Sequence, residues 1–464
     1  MTTMIEIPAW ALILVLVFAA VTALDRVLMP SVRWYLRRRL ERAVERLNKR
    51  LAIPIQPFKL AHRNDTILRL RYDPAVAQAV LDYSREHGIR EDVVAQQAEK
   101  YAREIVPSFS AFTYFAFAIR AARFLSRTLY KVQVGAQNNA ALEAIGSDKT
   151  VVFVMNHRSN MDYVLVTWLA ADRSALAYAV GEWARVWPLQ PLIRALGGYF
   201  IRRRHNNPLY RKVLARYVQM ATEAGVTQAV FPEGSLSRSG ALRDAKLGLL
   251  SYIIDGFTPG QSRDVVFVPV AINYDRVMED RALINADKRQ GGRFSLKPIF
   301  RYLRLLIWQK LTFQPTRYGM AAVSFGEPMS LSDFVRDHDS EAGVLGDQLM
   351  ARIGKVMPVV PFPVIAHAIA SGIRSQEALL PAIEARFEAA LAAGAPVFLP
   401  IRTFDYTIEA VLKTLEGRKI LHMQGDSFDL TEEGAALMAF YARSVAPVLG
   451  DFGPPSAQEN LSAT

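Results

Sequence analysis

Six short runs rich in β-branched and aromatic residues are strung along 151–155, 176–180, 199–201, 228–231, 265–274 and 320–325. Helical patterns separate them at 187–196, at 208–224 with a proline near its start, and at 246–255. Strands alternating with helices predict an α/β domain with a mostly parallel central sheet covered by helices. Pro269 interrupts the fifth run; having no N–H to donate, it predicts an edge or strand-end position.

Helical periodicity fills about 74–130 before this domain and returns after Pro328, at 340–356, 375–393 and 431–444. The chain therefore divides into a membrane anchor at 1–30, a basic amphipathic and helical region at 31–140, an α/β domain at 141–335 and a C-terminal helical region at 336–464. The anchor rests on residues 7–24, IPAWALILVLVFAAVTAL, which carry no charge over 18 residues, the lower end of what spans a bilayer. Arg33, Arg37, Arg38, Arg39, Arg42 and Arg46 follow it among leucines at helical spacing. By the positive-inside rule the body of the protein lies on the cytoplasmic side of a membrane. The stretch 297–311, KPIFRYLRLLIWQKL, predicts a second, interfacial helix.

Net charge +12 favours anionic partners, and with no cysteine there is no disulfide, thiolate catalyst or sulfur-ligated zinc. The seven histidines show no close metal-ligand pairing, so no metal is expected. Cations gather beside the apolar anchor instead of interleaving with aromatics, which argues against nucleic acid.

Chemistry-bearing residues follow the strands. Asn156-His157-Arg158-Ser159-Asn160-Met161-Asp162 sets a base and an acid five residues apart. On one ideal helix that spacing is about 140° of rotation, so His157 belongs in the turn ahead of a helix that Ser159 or Asn160 caps. Asp162, one turn in, can then reach back to the imidazole. Gly198-Tyr199-Phe200-Ile201 runs into Arg202, Arg203 and Arg204, whose forks match phosphate oxygens. Phe231-Pro232-Glu233-Gly234-Ser235-Leu236-Ser237-Arg238 offers a carboxylate, a backbone able to approach an anion, and a cation.

In joint order, HRSNMDY, GGYFIRR, FPEGSLSRSG, VPV and INYDRVMED resemble the glycerolipid acyltransferases whose first motif is His-x4-Asp, above all their glycerol-3-phosphate O-acyltransferase branch. The resemblance covers roughly 150–330. It implies transfer of a fatty acyl group from acyl-CoA or acyl carrier protein to glycerol 3-phosphate at a membrane lipid surface, with no cofactor. It implies His157 as general base, Asp162 as its orienting partner, Arg202, Glu233, Gly234 and Ser237 as acceptor binders, and Pro269 in the acyl-side motif. The family's third motif usually has arginine two residues after the glycine, where this chain has Leu236. Phosphate binding would then pass to Arg238 or Arg203, or the acceptor would be a lysophospholipid such as 1-acylglycerol 3-phosphate. A reading of another class is a non-enzymatic membrane protein that binds anionic lipid.

Overall fold

The computed structural model describes residues 8–18, 38–39, 42–135, 139–171, 174–187, 189–202, 207–285, 318–338, 341–400 and 402–452. The chain divides into two units, Met1–Pro54 and Ile55–Thr464. In the first unit, residues 9–18 and 42–48 are helical. Only part of the apolar stretch 7–24 is described, and among the described residues no helix is long and apolar enough to cross a membrane. The stretch 297–311 lies outside the described residues.

The second unit is built on an eight-stranded sheet. Its strands are β1 (Lys131–Val134), β2 (Thr150–Met155), β3 (Ala177–Gly181), β4 (Gly198–Ile201), β5 (Gln228–Val230), β6 (Val265–Tyr274), β7 (Met320–Phe325) and β8 (Met329–Ser330). They lie in the order β1-β7-β6-β2-β5-β3-β4, with β8 against β6. From β6 to β4 all pairings are parallel, while β7 and β8 run antiparallel to β6. The central strands are predominantly apolar because both faces are covered: every residue of β2 and of β6 is buried. Val152, Val154 and Phe267 enter a core shared with helices Glu91–Ile105, Pro208–Glu223, Gly248–Asp255 and Ala342–Lys355. Pro208 opens its helix at the first position, where a missing N–H costs nothing, and the Asn207 side chain accepts from Tyr210 N at 3.0 Å.

Three features differ from the sequence expectation. The sheet starts at Lys131, ahead of the expected boundary at 141, because β1 finds its partner in β7, almost two hundred residues later in the chain. The C-terminal region, expected to be helical, also holds a hairpin of β9 (Leu421–Gln424) and β10 (Ser427–Leu430), which turns through Gly425 at φ 65°. Pro269 is not at an edge: it sits inside β6 opposite Val154 of β2. Its carbonyl accepts from Gly326 N at 2.8 Å, so its nitrogen faces the same turn between β7 and β8, where no ladder donor is needed.

Candidate active site

Strand β2 delivers the first motif to the carboxyl edge of the sheet, where open α/β sheets bind ligands. Asn156 closes the strand: its amide donates to Ile272 O at 2.9 Å and accepts from Ile272 N at 2.8 Å, so the chain leaves the sheet in a fixed direction. His157 is in the turn and Asp162 is the second residue of helix Met161–Leu169, nearer the helix start than one full turn. His157 Nδ1 lies 2.9 Å from Asp162 Oδ2. The same oxygen accepts from the backbone N–H of Arg158 at 2.7 Å and Ser159 at 3.0 Å, and Oδ1 accepts from the Tyr274 hydroxyl at 2.6 Å. Burial first, and then the charge of Asp162, push the Tyr274 hydroxyl well above its ordinary range, which keeps it a donor. Asp162 is thus the acceptor throughout, Nδ1 carries the hydrogen, and Nε2 is the histidine's basic atom.

The imidazole is 3% exposed, lying over Phe231 at 4.3 Å between centroids, with the edge of Tyr163 at 5.3 Å. Asn160 occupies the N-cap but forms no side-chain cap bond; Ser159 Oγ accepts from Met161 N at 3.1 Å instead. Both residues are turned to Glu279, whose Oε2 accepts from Ser159 Oγ at 2.8 Å and whose Oε1 accepts from Asn160 Nδ2 at 2.9 Å and its N–H at 3.3 Å. Glu279 escaped the sequence reading of roles although it lies in the quoted INYDRVMED; its signal was an acid placed soon after a fully buried strand.

The loop after β5 meets this turn from the side. Glu233 Oε1 accepts from His157 N at 2.9 Å, and Ser237 N donates to His157 O at 3.1 Å. Glu233 is 1% exposed, its Oε2 has no hydrogen-bond partner among the described residues, and burial pushes its carboxyl up to about 7 against the opposing pull of His157 N–H, Arg158 and Arg243. Gly234 has φ 69°, and a side chain there would meet Lys246 Cδ at 2.9 Å. The Ser237 hydroxyl donates to Ala241 O at 2.8 Å and accepts from Gly240 N at 3.1 Å, so it shapes the loop. The fully buried Arg158 guanidinium donates to Gly240 O and, at 3.3 Å, to Ser444 O, tying the first motif to the third and to the C-terminal region. Burial lowers it to about 10 despite Glu233 and Asp162.

Other assigned residues fall elsewhere. Arg238 is exposed; the arginines whose charges act on Glu233 are Arg158 and then Arg243, which donates to Ser235 Oγ at 2.9 Å. Arg202, at the end of β4, grips Glu104 through Nε at 2.7 Å and Nη2 at 2.6 Å. Arg203 lies outside the described residues. His157, Asp162, Glu233 and Ser237 are joined directly by hydrogen bonds, with Gly234 in the same loop.

Residues 132–273 match the acyltransferase family model, and 307–449 match that of the glycerol-3-phosphate acyltransferase C-terminal region. A glycerol-3-phosphate acyltransferase of Pseudomonas fluorescens (strain Pf0-1) is 27% identical over 428 residues, 83% of this chain and 48% of that protein. One of the same name from Aeromonas hydrophila subsp. hydrophila is 30% identical over 286 residues, 60% of this chain and 34% of that one. The chain thus spans about half the length, or less, of the curated relatives it matches. The solved 1-acyl-sn-glycerophosphate (LPA) acyltransferase of Thermotoga maritima covers 63% of this chain and 96% of its own at 18% identity, with a TM-score of 0.31. The His157–Asp162 pair is seated in the segment that matches the acyltransferase family model, and the segment matching the glycerol-3-phosphate acyltransferase C-terminal region follows it.

Proposed function

We propose that the chain is a membrane-bound glycerol-3-phosphate O-acyltransferase that takes its acyl group from acyl-CoA or acyl carrier protein. The observation that carries this reading is the His157 Nδ1 to Asp162 Oδ2 bond of 2.9 Å, on a carboxylate already held by three other donors. The acceptor hydroxyl gives its proton to His157 Nε2 while its oxygen attacks the thioester carbon. The tetrahedral oxyanion collapses, the carbon–sulfur bond breaks, and the departing thiolate takes the proton back from the imidazolium. Asp162 holds the ring and stabilises its charged form. Glu233 Oε2, buried without a partner among the described residues, suits a second hydroxyl of the acceptor.

Exposed Phe112, Phe117 and Phe124 stand among exposed Arg120, Arg123 and Arg127, a composition suited to an anionic bilayer surface, and they support a membrane location. The cytoplasmic side follows from the arginines at 33–50. The test is acyl transfer by purified protein in vesicles, with palmitoyl-CoA or acyl carrier protein as donor and glycerol 3-phosphate or 1-acylglycerol 3-phosphate as acceptor. Product from glycerol 3-phosphate that disappears in His157→Ala is the expected result; transfer to the lysophospholipid alone would overturn the acceptor assignment.

A further inference from the structure

The chain leaves β6 through a short segment with two faces. On one, Tyr274 donates its hydroxyl to Asp162 Oδ1 and Glu279 accepts from Ser159 and Asn160, so the segment braces the turn that carries His157. On the other, the C-terminal region takes hold of it. The Tyr441 hydroxyl accepts from Val277 N at 2.8 Å and donates to Asp280 Oδ2 at 3.0 Å. Arg418 Nη2 donates to Asp280 Oδ1 at 3.0 Å and to Oδ2 at 2.8 Å. Arg281 returns the grip, through Nη2 to Arg418 O at 2.6 Å and through Nε to Glu433 Oε1 at 2.8 Å.

Little in the segment itself fixes its course. From 275 to 279 it is turn and bend, and helix Asp280–Ile284, five residues long, is too short to set its own orientation. Its two neighbouring carboxylates are also treated differently. Glu279 accepts from the neutral donors of Ser159 and Asn160, and burial pushes it up. Asp280, buried as well, has the Arg418 guanidinium across it. Burial first, and then the charge of Asp280, raise the Tyr441 hydroxyl well above its ordinary range, which keeps it a donor. Without Arg418, Asp280 is a buried charge that has lost its cation, and the segment gains by moving toward water. Glu279, the adjacent residue, moves with it and lets go of the turn.

We propose that Arg418 and Tyr441 are positioning residues for acyl transfer: by fixing Val277 and Asp280 they hold Glu279 against the turn that carries His157. The inference rests on the function proposed above, and it gives a task in the reaction to two residues of the segment that matches the glycerol-3-phosphate acyltransferase C-terminal region. Both act at two removes, through Asp280 and then Glu279. An ion pair that only adds stability leaves kcat of the folded protein intact, and a contact with substrate raises KM. Positioning instead lowers kcat at unchanged KM. Because the path runs through Glu279, it also costs nothing further once Glu279 is gone.

The experiment measures kcat and KM on the full chain in vesicles, with the donor and acceptor pair that the assay above finds active. The variants are Arg418→Gln, Arg418→Lys, Tyr441→Phe, Glu279→Ala and the double variant Arg418→Gln with Glu279→Ala, each at a temperature where circular dichroism shows it folded. Expected is a kcat about tenfold lower in Arg418→Gln and about threefold lower in Tyr441→Phe at unchanged KM, with partial recovery in Arg418→Lys. The double variant should be no slower than Glu279→Ala. An unchanged kcat in both Arg418→Gln and Tyr441→Phe, or a double variant slowed by the product of the two single effects, overturns the proposal. Should Arg418→Gln fail to fold, Tyr441→Phe, which removes one hydroxyl, decides: a lower kcat sustains the proposal and an unchanged one overturns it. If wild type transfers no acyl group, the proposed function falls, and hydrogen exchange at residues 156–163 decides the bracing by itself. Faster exchange there in Tyr441→Phe and Arg418→Gln sustains it; equal exchange overturns it.

Discussion

The turn after β2 and the loop after β5 both leave buried parallel strands at the same edge of the sheet, yet they are finished differently. Around Asp162 both carboxylate oxygens are taken, by His157, two backbone N–H groups and Tyr274. Glu233 has one oxygen held by His157 N and the other buried and, among the described residues, bare. A group that must present a proton acceptor at fixed geometry is locked before substrate arrives, because any slack there weakens catalysis directly. On the proposed function, Glu233 receives the acceptor and keeps a vacant valence for it, at a cost in desolvation that accompanies its raised pKa.

That contrast can be broken experimentally. The largest effect is expected for His157→Ala, which removes the base itself; acyl transfer should fall by about a thousandfold or more at unchanged circular dichroism. Next is Glu233→Gln, which mimics the protonated acid and keeps an acceptor for His157 N. A carboxyl raised in the fold from 4.5 to about 7 loses about 3 kcal/mol of stability as pH rises through that window. The native state holds the proton longer than the unfolded chain does, so the wild type is fully stabilised below pH 4.5 and loses that contribution by about pH 7. Denaturant titrations at pH 4.5 and 8 should show the glutamine variant gaining on wild type as pH rises; parallel curves would mean that Glu233 is not strained.

Smaller, and aimed at the locked side, is Glu279→Ala. It releases Ser159 and Asn160 from three hydrogen bonds, and kcat should drop about tenfold with KM nearly unchanged, since only the turn that carries the base loosens. A rise in KM alone would make Glu279 a substrate contact. The smallest effect belongs to the open side. Arg243→Gln removes the cation beside Glu233 and should raise KM for the phosphate-bearing acceptor about threefold, the order of one exposed charge contact. An unchanged KM would leave Arg243 as a brace for Ser235.

Much of this was legible in the chain. Runs such as 265–274 and 320–325 became β6 and β7 with the same bounds, since a strand buried on both faces is predominantly apolar and leaves a strong local signal. His157 and Asp162 were identifiable because their pairing is local, closed within one turn of chain. The short β1 was not, because its partner β7 comes almost two hundred residues later and four residues hold no periodicity of their own. Pro269 misled for a related reason: the rule against proline in a central strand concerns which side its missing N–H faces, and that side is decided by β7 and β8.

The sequence by itself determined the class of sheet and the pairing of His157 with Asp162, because hydrophobic periodicity and short-range hydrogen bonding are properties of contiguous residues. Only the tertiary structure decided what each charge does. Glu279 reaches Ser159 across 120 positions, Arg158 reaches Ser444 across 286, and Arg202 meets Glu104 across 98. An arginine after a strand reads the same in one dimension whether it waits for phosphate or already holds a carboxylate; its counter-ion comes from whichever helix the fold lays beside it.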